Sequence, residues 1–248
     1  MLPGNFLKTG CCGFPLPKTE YVAHFPVGEV QQTFYQPPRI ATLQRWRALV
    51  PEHFEFTLKA WQLITHSSKS PTFRRLTTKL TPAELQQCGS FQFTPPVLMA
   101  WETSWRSAEA LKAKCILFQC PASFGPSPEN LHQMRLFFTS IERHGLKFIW
   151  EPRGDWNPAL IKTLCEELDL IHAVDPFVSR SVTLNFTYLR LHGGKDFKHV
   201  YSMEELHFIR RQIRAGFPAY VFFNNIQMLQ DATKFGNLKT HDGFRPLK

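Results

Sequence analysis

No run of this chain approaches the roughly 18 consecutive apolar residues that span a bilayer, so the sequence predicts no membrane segment. The opening stretch Met-Leu-Pro-Gly-Asn-Phe-Leu-Lys lacks a basic segment followed by an apolar one, and the expectation is a cytoplasmic protein without a signal peptide. Cysteine is sparse and unpatterned. Cys11, Cys12, Cys88, Cys115, Cys120 and Cys165 form neither a CxxC pair nor a zinc ribbon, and most sit inside apolar runs. They read as buried small hydrophobes in a reducing compartment. The GxGxxG and GxxxxGKS/T phosphate loops are absent, and Gly10-Cys11-Cys12-Gly13 matches neither. No GxSxG nucleophile elbow occurs, and no HxH, HExxH or DxD spacing specifies a metal. Internal repeats, low-complexity tracts and linkers are also missing.

What the chain does have is a large apolar fraction. Of 248 residues, 43% are hydrophobic, 20% are charged and 14% are aromatic, with 23 Phe. That balance excludes a disordered, collagen-like or coiled-coil protein and supplies a thick core. The formal net charge of +9 suits an anionic partner, although excess charge also serves solubility alone.

Short runs rich in Val, Ile, Phe and Tyr alternate with segments of helical period. Strands are predicted at 7–13, 27–35, 54–60, 115–121, 147–153, 171–175, 187–193 and 219–225. Helix starts are marked by Ser127-Pro128, Asn157-Pro158 and the capping-box spacing of Ser202 and Glu205, where a side-chain oxygen satisfies orphan amides of the first turn. The first of these helices carries Leu131, Met134, Phe138 and Ile141 on one face and stops at Gly145, and the second carries Leu160, Leu164 and Leu168. Further helices are predicted over 39–50, with Leu43, Trp46 and Leu49 inward, and over 97–114, burying Leu98, Trp101, Trp105, Ala108 and Leu111. One connection, 64–96, is about thirty residues long, carries Lys69, Arg74, Arg75 and Lys79, and holds a small capped helix at Thr81-Pro82-Ala83-Glu84. The predicted fold class is α/β: a single (β/α)8 TIM-type barrel over 1–248 with a long insertion after the third strand. An open doubly wound sheet is the rival.

In a barrel, the C-terminal strand ends form the active-site face, and ionisable residues collect at those ends here. On a strand, Glu29 shares a face with Gln31, Thr33 and Tyr35. The third strand ends at Lys59, with His66 a little further on; the fourth gives Gln119, the fifth Glu151 and Arg153, and the sixth Asp175. Tyr188, Arg190 and His192 share a face of the seventh, followed by Gly193, Gly194 and Lys195, and the eighth ends in Asn224 and Asn225. Burying such groups unpaired costs several kcal/mol each, so a ring of carboxylates and cations that pair with each other or with a ligand is expected at one mouth. Arginine forks match phosphate or carboxylate, and two glycines let a backbone approach an anion. Glu29, Glu151, Asp175 and His192 are also carboxylate and imidazole donors suited to a divalent ion, but Lys59, Arg153 and Arg190 compete for those carboxylates. A divalent metal is the one cofactor the residues leave open.

Seven short motifs in register then resemble a known family. They are Glu29-Val30-Gln31-Gln32-Thr33-Phe34-Tyr35; Phe54-x-Phe56-x-x-Lys59 leading to Thr65-His66; Gln119-x-Pro121-x-x-Phe124; Glu151-x-Arg153-x-x-Trp156; Asp175; Tyr188-x-Arg190-x-His192-Gly193; and Phe223-Asn224-Asn225. Together, from Lys8 to Ala232, they look like the domain of unknown function 72 (YecE-like) family, whose reaction is not established. The resemblance implies a TIM-type barrel, similar at the level of fold to endonuclease-IV-like and sugar-isomerase enzymes. Family members usually carry Asn where this chain has Gln31, and a longer tryptophan- or tyrosine-bearing segment where it has Phe14-Pro15-Leu16-Pro17-Lys18.

Three functional expectations follow. The first is an enzyme on a phosphate-bearing or otherwise anionic substrate, such as a nucleic-acid or nucleotide phosphoester. In it Lys59, Arg153, Arg190 and Lys195 bind the anion, Glu29 or Glu151 is general base, His192 is an acid or electrostatic stabiliser, and Asp175 orients a neighbour. The second is a non-catalytic nucleic-acid-binding protein that uses the basic connection. The third is a sugar or sugar-phosphate enzyme with Tyr35, Trp150 or Trp156 stacked on the ring. The sequence leaves the oligomeric state open.

Overall fold

The computed structural model describes residues 6–238; the first five residues of the predicted leaderless N-terminus and the last ten of the expected 1–248 domain lie outside them. Eight parallel strands, with helices between all but β6 and β7 among the described residues, give the (β/α)8 TIM-type barrel class. In chain order they are β1 (Leu7–Cys11), β2 (Val27–Val30), β3 (Glu55–Lys59), β4 (Cys115–Gln119), β5 (Lys147–Glu151), β6 (Leu170–Val174), β7 (Thr187–Leu191) and β8 (Ala219–Phe223). The sheet order is β1-β8-β7-β6-β5-β4-β3-β2. β4 (CILFQ) and β8 (AYVFF) are nearly continuous apolar runs, as expected of strands buried on both faces of a parallel sheet.

Two compact units divide the chain: Met1–Glu29, Val50–Glu55 and Ile171–Lys248 form one, and Val30–Leu49 and Phe56–Leu170 the other. In the first, β8 pairs with both neighbours in register, Leu7↔Ala219 on one side and Thr187↔Ala219 on the other. The Tyr21 hydroxyl donates to the Val27 carbonyl at 3.0 Å and accepts from the Cys11 amide at 2.7 Å, tying β1 to β2. Gly10 permits this approach, since a Cβ there would stand 2.1 Å from the Val27 oxygen. In the second unit, β4 pairs with β5 from Cys115↔Lys147 to Gln119↔Glu151. The phenylalanine excess is spent there: Phe91, Phe118, Phe137, Phe138 and Phe148 pack with Trp101 at edge-to-face and tilted angles. Each such ring buries on the order of 150–250 Å², which is the main favourable term of that core.

The helix signals hold with specific exceptions. Both capping boxes form, Thr81 with Glu84 and Ser202 with Glu205, and Pro128–Ser140 and Pro158–Glu167 start on their predicted caps. The first of these ends at Ser140, so Ile141 lies beyond it and Gly145 does not stop it. In the second, Leu164 and the capping Leu168 are buried as expected, with Ile161 and Cys165, while Leu160 is only half-buried. The predicted 97–114 helix is Pro95–Leu111, in which Leu98 and Trp105 are only half-buried; the Trp105 indole lies against His144 at 4.1 Å. The 39–50 helix is Ile40–Ala48, with Leu43 buried and Leu49 exposed.

The largest correction concerns the second strand. It stops at Val30, and Gln32–Tyr35 is a helical turn, so Glu29, Gln31, Thr33 and Tyr35 share no strand face. The reason is local: the Thr33 hydroxyl donates to the Val30 carbonyl at 3.1 Å and to the Lys59 carbonyl at 2.7 Å, bonds open to a turn and not to a strand. All six cysteines are free and buried. No helix of the described residues is long and apolar enough to cross a membrane.

Candidate functional site

The predicted residues assemble into three hydrogen-bonded groups. In the first unit, Glu29 and Arg190 form an ion pair at 2.8 Å in which both side chains are 0% exposed. Two guanidinium nitrogens reach the carboxylate, the Tyr188 hydroxyl donates to its other oxygen at 2.7 Å, and Arg190 also contacts the Cys12 sulfur at 3.4 Å. These groups are sealed from solvent. The arrangement braces β2 against β7 and leaves Glu29 no open lone pair to present to a substrate.

In the second unit, the Lys59 ammonium donates to the Gln119 oxygen, and the Gln119 amide donates to Glu151, both at 2.7 Å. Arg153 donates to the same Glu151 oxygen at 2.9 Å and remains partly open to solvent. The lysine also lies 3.9 Å over the Phe34 ring. His66 belongs here. Burial, then the charges of Lys59 and Arg153, push its pKa down to about 3, so its imidazole is neutral across the physiological range. Its Nδ1 meets the Thr65 hydroxyl at 2.8 Å.

The third group stands at the ends of β6, β7 and β8 in the first unit. Asp175 follows β6, and its two oxygens accept from the His192 amide at 2.9 Å and the Phe177 amide at 3.1 Å. His192 follows β7, and the amide of Asn224, after β8, donates to its Nδ1 at 3.1 Å. That bond leaves the neutral ring's proton on Nε2. Gly193 and Gly194 both adopt positive φ, at 71° and 78°, a backbone that turns the chain back beside the histidine. A Cβ on Gly193 would meet that of Asn225 at 2.5 Å. Asn225 is itself buried; its amide donates to the Asp231 carboxylate and the His199 carbonyl, which makes it a brace behind the turn.

Asp175, His192, Gly194 and Lys195 line one pocket of about 420 Å³. This is the size range of small-molecule sites. The sequence analysis missed five other residues of this pocket: Phe177, Val178, His199, Tyr201 and Glu205. The Phe177 and Tyr201 rings stack at 5.6 Å, and the Tyr201 hydroxyl accepts from the Gly193 amide at 2.9 Å. Burial, then the Asp175 charge, raises the Tyr201 pKa, so the phenol stays neutral. His199 bonds Glu205 at 2.8 Å. Burial works to raise the Glu205 pKa, but bonds from Ser202 and His199 prevail and hold it below its usual range. The Ser202–Glu205 cap was legible, but a cap signal does not show that the same carboxylate also faces a cavity.

Other predicted positions serve packing. Trp150 is fully buried, donates to the Cys120 sulfur at 3.3 Å, and meets Trp156 edge-on at 5.1 Å. Trp156 donates to the Phe124 carbonyl at 3.1 Å. Neither indole face is open for sugar stacking, which corrects that expectation. The Tyr35 ring is covered by the Arg75 guanidinium at 3.5 Å. Burial pushes the Cys120 thiol up to about 12, in keeping with packing. No group of three or more His, Cys, Asp or Glu side chains placed to hold a metal occurs among the described residues. Glu29 and Glu151 are instead committed to their cations.

The family described as "Protein of unknown function DUF72" matches residues 18–240. YunF of Bacillus subtilis, a UPF0759 protein, is 23% identical over 246 residues, covering 83% of this chain and 79% of YunF. A DUF72 family protein of Enterococcus faecalis superposes with a TM-score of 0.69 at 21% identity, covering 94% of this chain and 98% of its own. One from Thermotoga maritima gives 0.66 at 18%, covering 93% and 97%. A D-psicose 3-epimerase gives 0.57 at 10%, covering 92% and 96%, a likeness of fold alone.

Proposed function

We propose a function for this chain from one premise: it belongs to the DUF72 family of proteins of unknown function. It binds a phosphate-bearing small molecule in the pocket at the ends of β6 and β7 and hydrolyses its phosphoester. The observation that carries this reading is the pocket of about 420 Å³ in which Lys195, His192 and Asp175 stand beside a turn of two positive-φ glycines. Barrels commonly hold phosphate on the loop after the seventh strand.

The roles follow from accessibility. Lys195 supplies the exposed ammonium that meets the phosphate. His192, fixed by Asn224, presents Nε2–H to the same anion, which stabilises charge as it develops. Asp175 reaches the pocket and Glu29 does not, so Asp175 takes the proton from the attacking water, the P–O bond to the alcohol breaks, and the leaving oxygen takes its proton from His192 Nε2–H. The stacked Phe177 and Tyr201 rings give the apolar wall on which the organic part rests. Arg190 and Glu29 act as positioning residues behind β7. Six free thiols fit a cytoplasmic, reducing location.

The test is a thermal-shift screen of inorganic phosphate, sugar phosphates and nucleotides on the full chain. A ligand at a hundred times its Kd adds ~2.7 kcal/mol, which for a chain of this size raises Tm by roughly 5–10 °C. Replacing Lys195 by Ala removes one charge-assisted contact and is expected to weaken Kd by about tenfold or more. Asp175→Asn should leave binding intact and remove turnover. A wild-type chain unmoved by every phosphate, or shifts that survive both Lys195→Ala and His192→Ala, would refute the reading.

A second reading rests on a different observation. Lys69, Arg74, Arg75 and Lys79 are all exposed on the 64–96 connection, with Arg75 held on the Tyr35 ring. Oligonucleotide affinity that falls steeply with salt and depends on Arg74 more than on Lys195 would favour a non-catalytic nucleic-acid-binding role.

A further inference from the structure

A second pocket lies in the first unit, outside the candidate site, and its origin is a gap in the helix pattern. In this fold the helix after each strand covers the sheet's outer face. Helices follow β7 and β8, at Met203–Arg211 and Met228–Gly236, but residues 175–186 after β6 form no helix. That connection is held by loop contacts instead. The Val182 amide donates to His172 Nδ1 and the His172 amide donates to the Thr183 hydroxyl, both at 3.3 Å, while the Thr183 hydroxyl donates to the Phe186 carbonyl at 3.2 Å.

The loop, in place of a helix, meets the outer face of β6 and β7 at Val174 and Leu189, which are direct register partners and remain buried. Leu189 faces away from Tyr188 and Arg190 by strand alternation, so this is the face opposite the buried ion pair. A pocket of about 320 Å³ results. Its base is aliphatic, built from Val174, Leu189 and Ile213, and no aromatic ring lines it. Its walls carry Arg180 from the loop, Arg211 from the last turn of the following helix and Arg214 just beyond that helix. All three arginines are exposed, and no carboxylate lines the pocket with them. Ser179 and Ser181 add hydroxyls at the same wall. Leu184, 62% exposed, is left at the rim with nothing over it.

Three arginines lining a pocket with an aliphatic base select a ligand with two distinct ends. Guanidinium forks match a phosphate dianion, and the floor takes a short unbranched or branched chain but offers no ring for a base to stack on. We propose that this pocket is an accessory binding site for a short-chain alkyl or acyl phosphate, separate from the strand-end pocket and independent of any turnover there. A ligand seated in it bridges the β6–β7 loop to Arg211 and Arg214, at and just beyond the end of the helix, so occupancy orders that loop.

The test is isothermal titration of the full chain with hexyl phosphate, inorganic phosphate and hexanol. Saturable hexyl phosphate binding is expected, at least tenfold tighter than either fragment of it. Replacing Arg180, Arg211 and Arg214 together by Ala should weaken that binding at least tenfold. Because the three side chains are exposed, Tm without ligand should stay nearly unchanged, which separates lost binding from lost folding. Lys195→Ala should leave it intact, since that lysine lines the other pocket. Equal affinity for inorganic phosphate, binding that survives the triple substitution, or binding abolished by Lys195→Ala would each overturn the proposal.

Discussion

Replacing Glu29 by Ala is expected to lower stability by about 3–5 kcal/mol, because it leaves the Arg190 guanidinium charged and without its carboxylate in a position with no access to water. Arg190→Ala should cost a similar amount by stranding Glu29. The informative variant is the pair. Removing both charges together, as Glu29→Leu with Arg190→Met, removes the desolvation cost along with the attraction, and the loss should be smaller than that of either single change. Tyr188 tempers this, since its hydroxyl loses the carboxylate it donates to at 2.7 Å. Chemical denaturation of the four proteins measures it. Single substitutions that cost under about 1 kcal/mol, the range of exposed pairs, would show that the ion pair is hydrated in solution.

The second large effect is an acid sensitivity centred on His66. Its pKa falls from an ordinary 6.5 to about 3 in the folded chain, chiefly through burial and then through Lys59 and Arg153. Between those values the unfolded chain binds the proton and the folded chain does not, so stability rises with pH across that window. The contribution is present in full above 6.5 and is lost as pH falls toward 3. Each unit is worth ~1.4 kcal/mol, so moving from pH 7 to pH 4 should cost roughly 3 kcal/mol at this residue. Acidic groups titrate in the same range, so the comparison is between wild type and His66→Gln. Denaturant midpoints at the two pH values should converge, with wild type losing roughly 3 kcal/mol more than the variant. Equal pH dependence in both proteins would place the imidazole in water instead.

The fold was legible because a parallel sheet writes itself as apolar runs at regular spacing, and all eight were found. Boundaries failed where a short-range bond competes with the strand. Thr33 spends its hydroxyl on the Val30 and Lys59 carbonyls, so a β-branched, aromatic-rich segment that reads as strand becomes a turn. Lys59, Gln119, Glu151, Asp175, Arg190, His192 and Asn224 do stand at or near strand ends, with hydrogen-bond partners, as polar groups among apolar neighbours require. Strand-end polarity could not sort them by role. Arg190 and Lys195 are both cations after or within β7, yet one is sealed against Glu29 and the other lines a cavity. The same limit explains Trp150 and Trp156, whose aromatic character suggested stacking but which are buried against each other. Tyr201 and His199 went unseen because they face the site from a loop with no periodicity.

The claim on which the functional account turns is that the pocket after β6 and β7 receives the phosphate. The direct measurement is a crystal structure of the full chain grown with a sugar phosphate. The account predicts phosphate oxygens bonded to the Lys195 ammonium and to His192 Nε2, with the organic part against Phe177 and Tyr201. Phosphate bound by Lys59 and Arg153, with the pocket at His192 and Lys195 left to solvent, would contradict it.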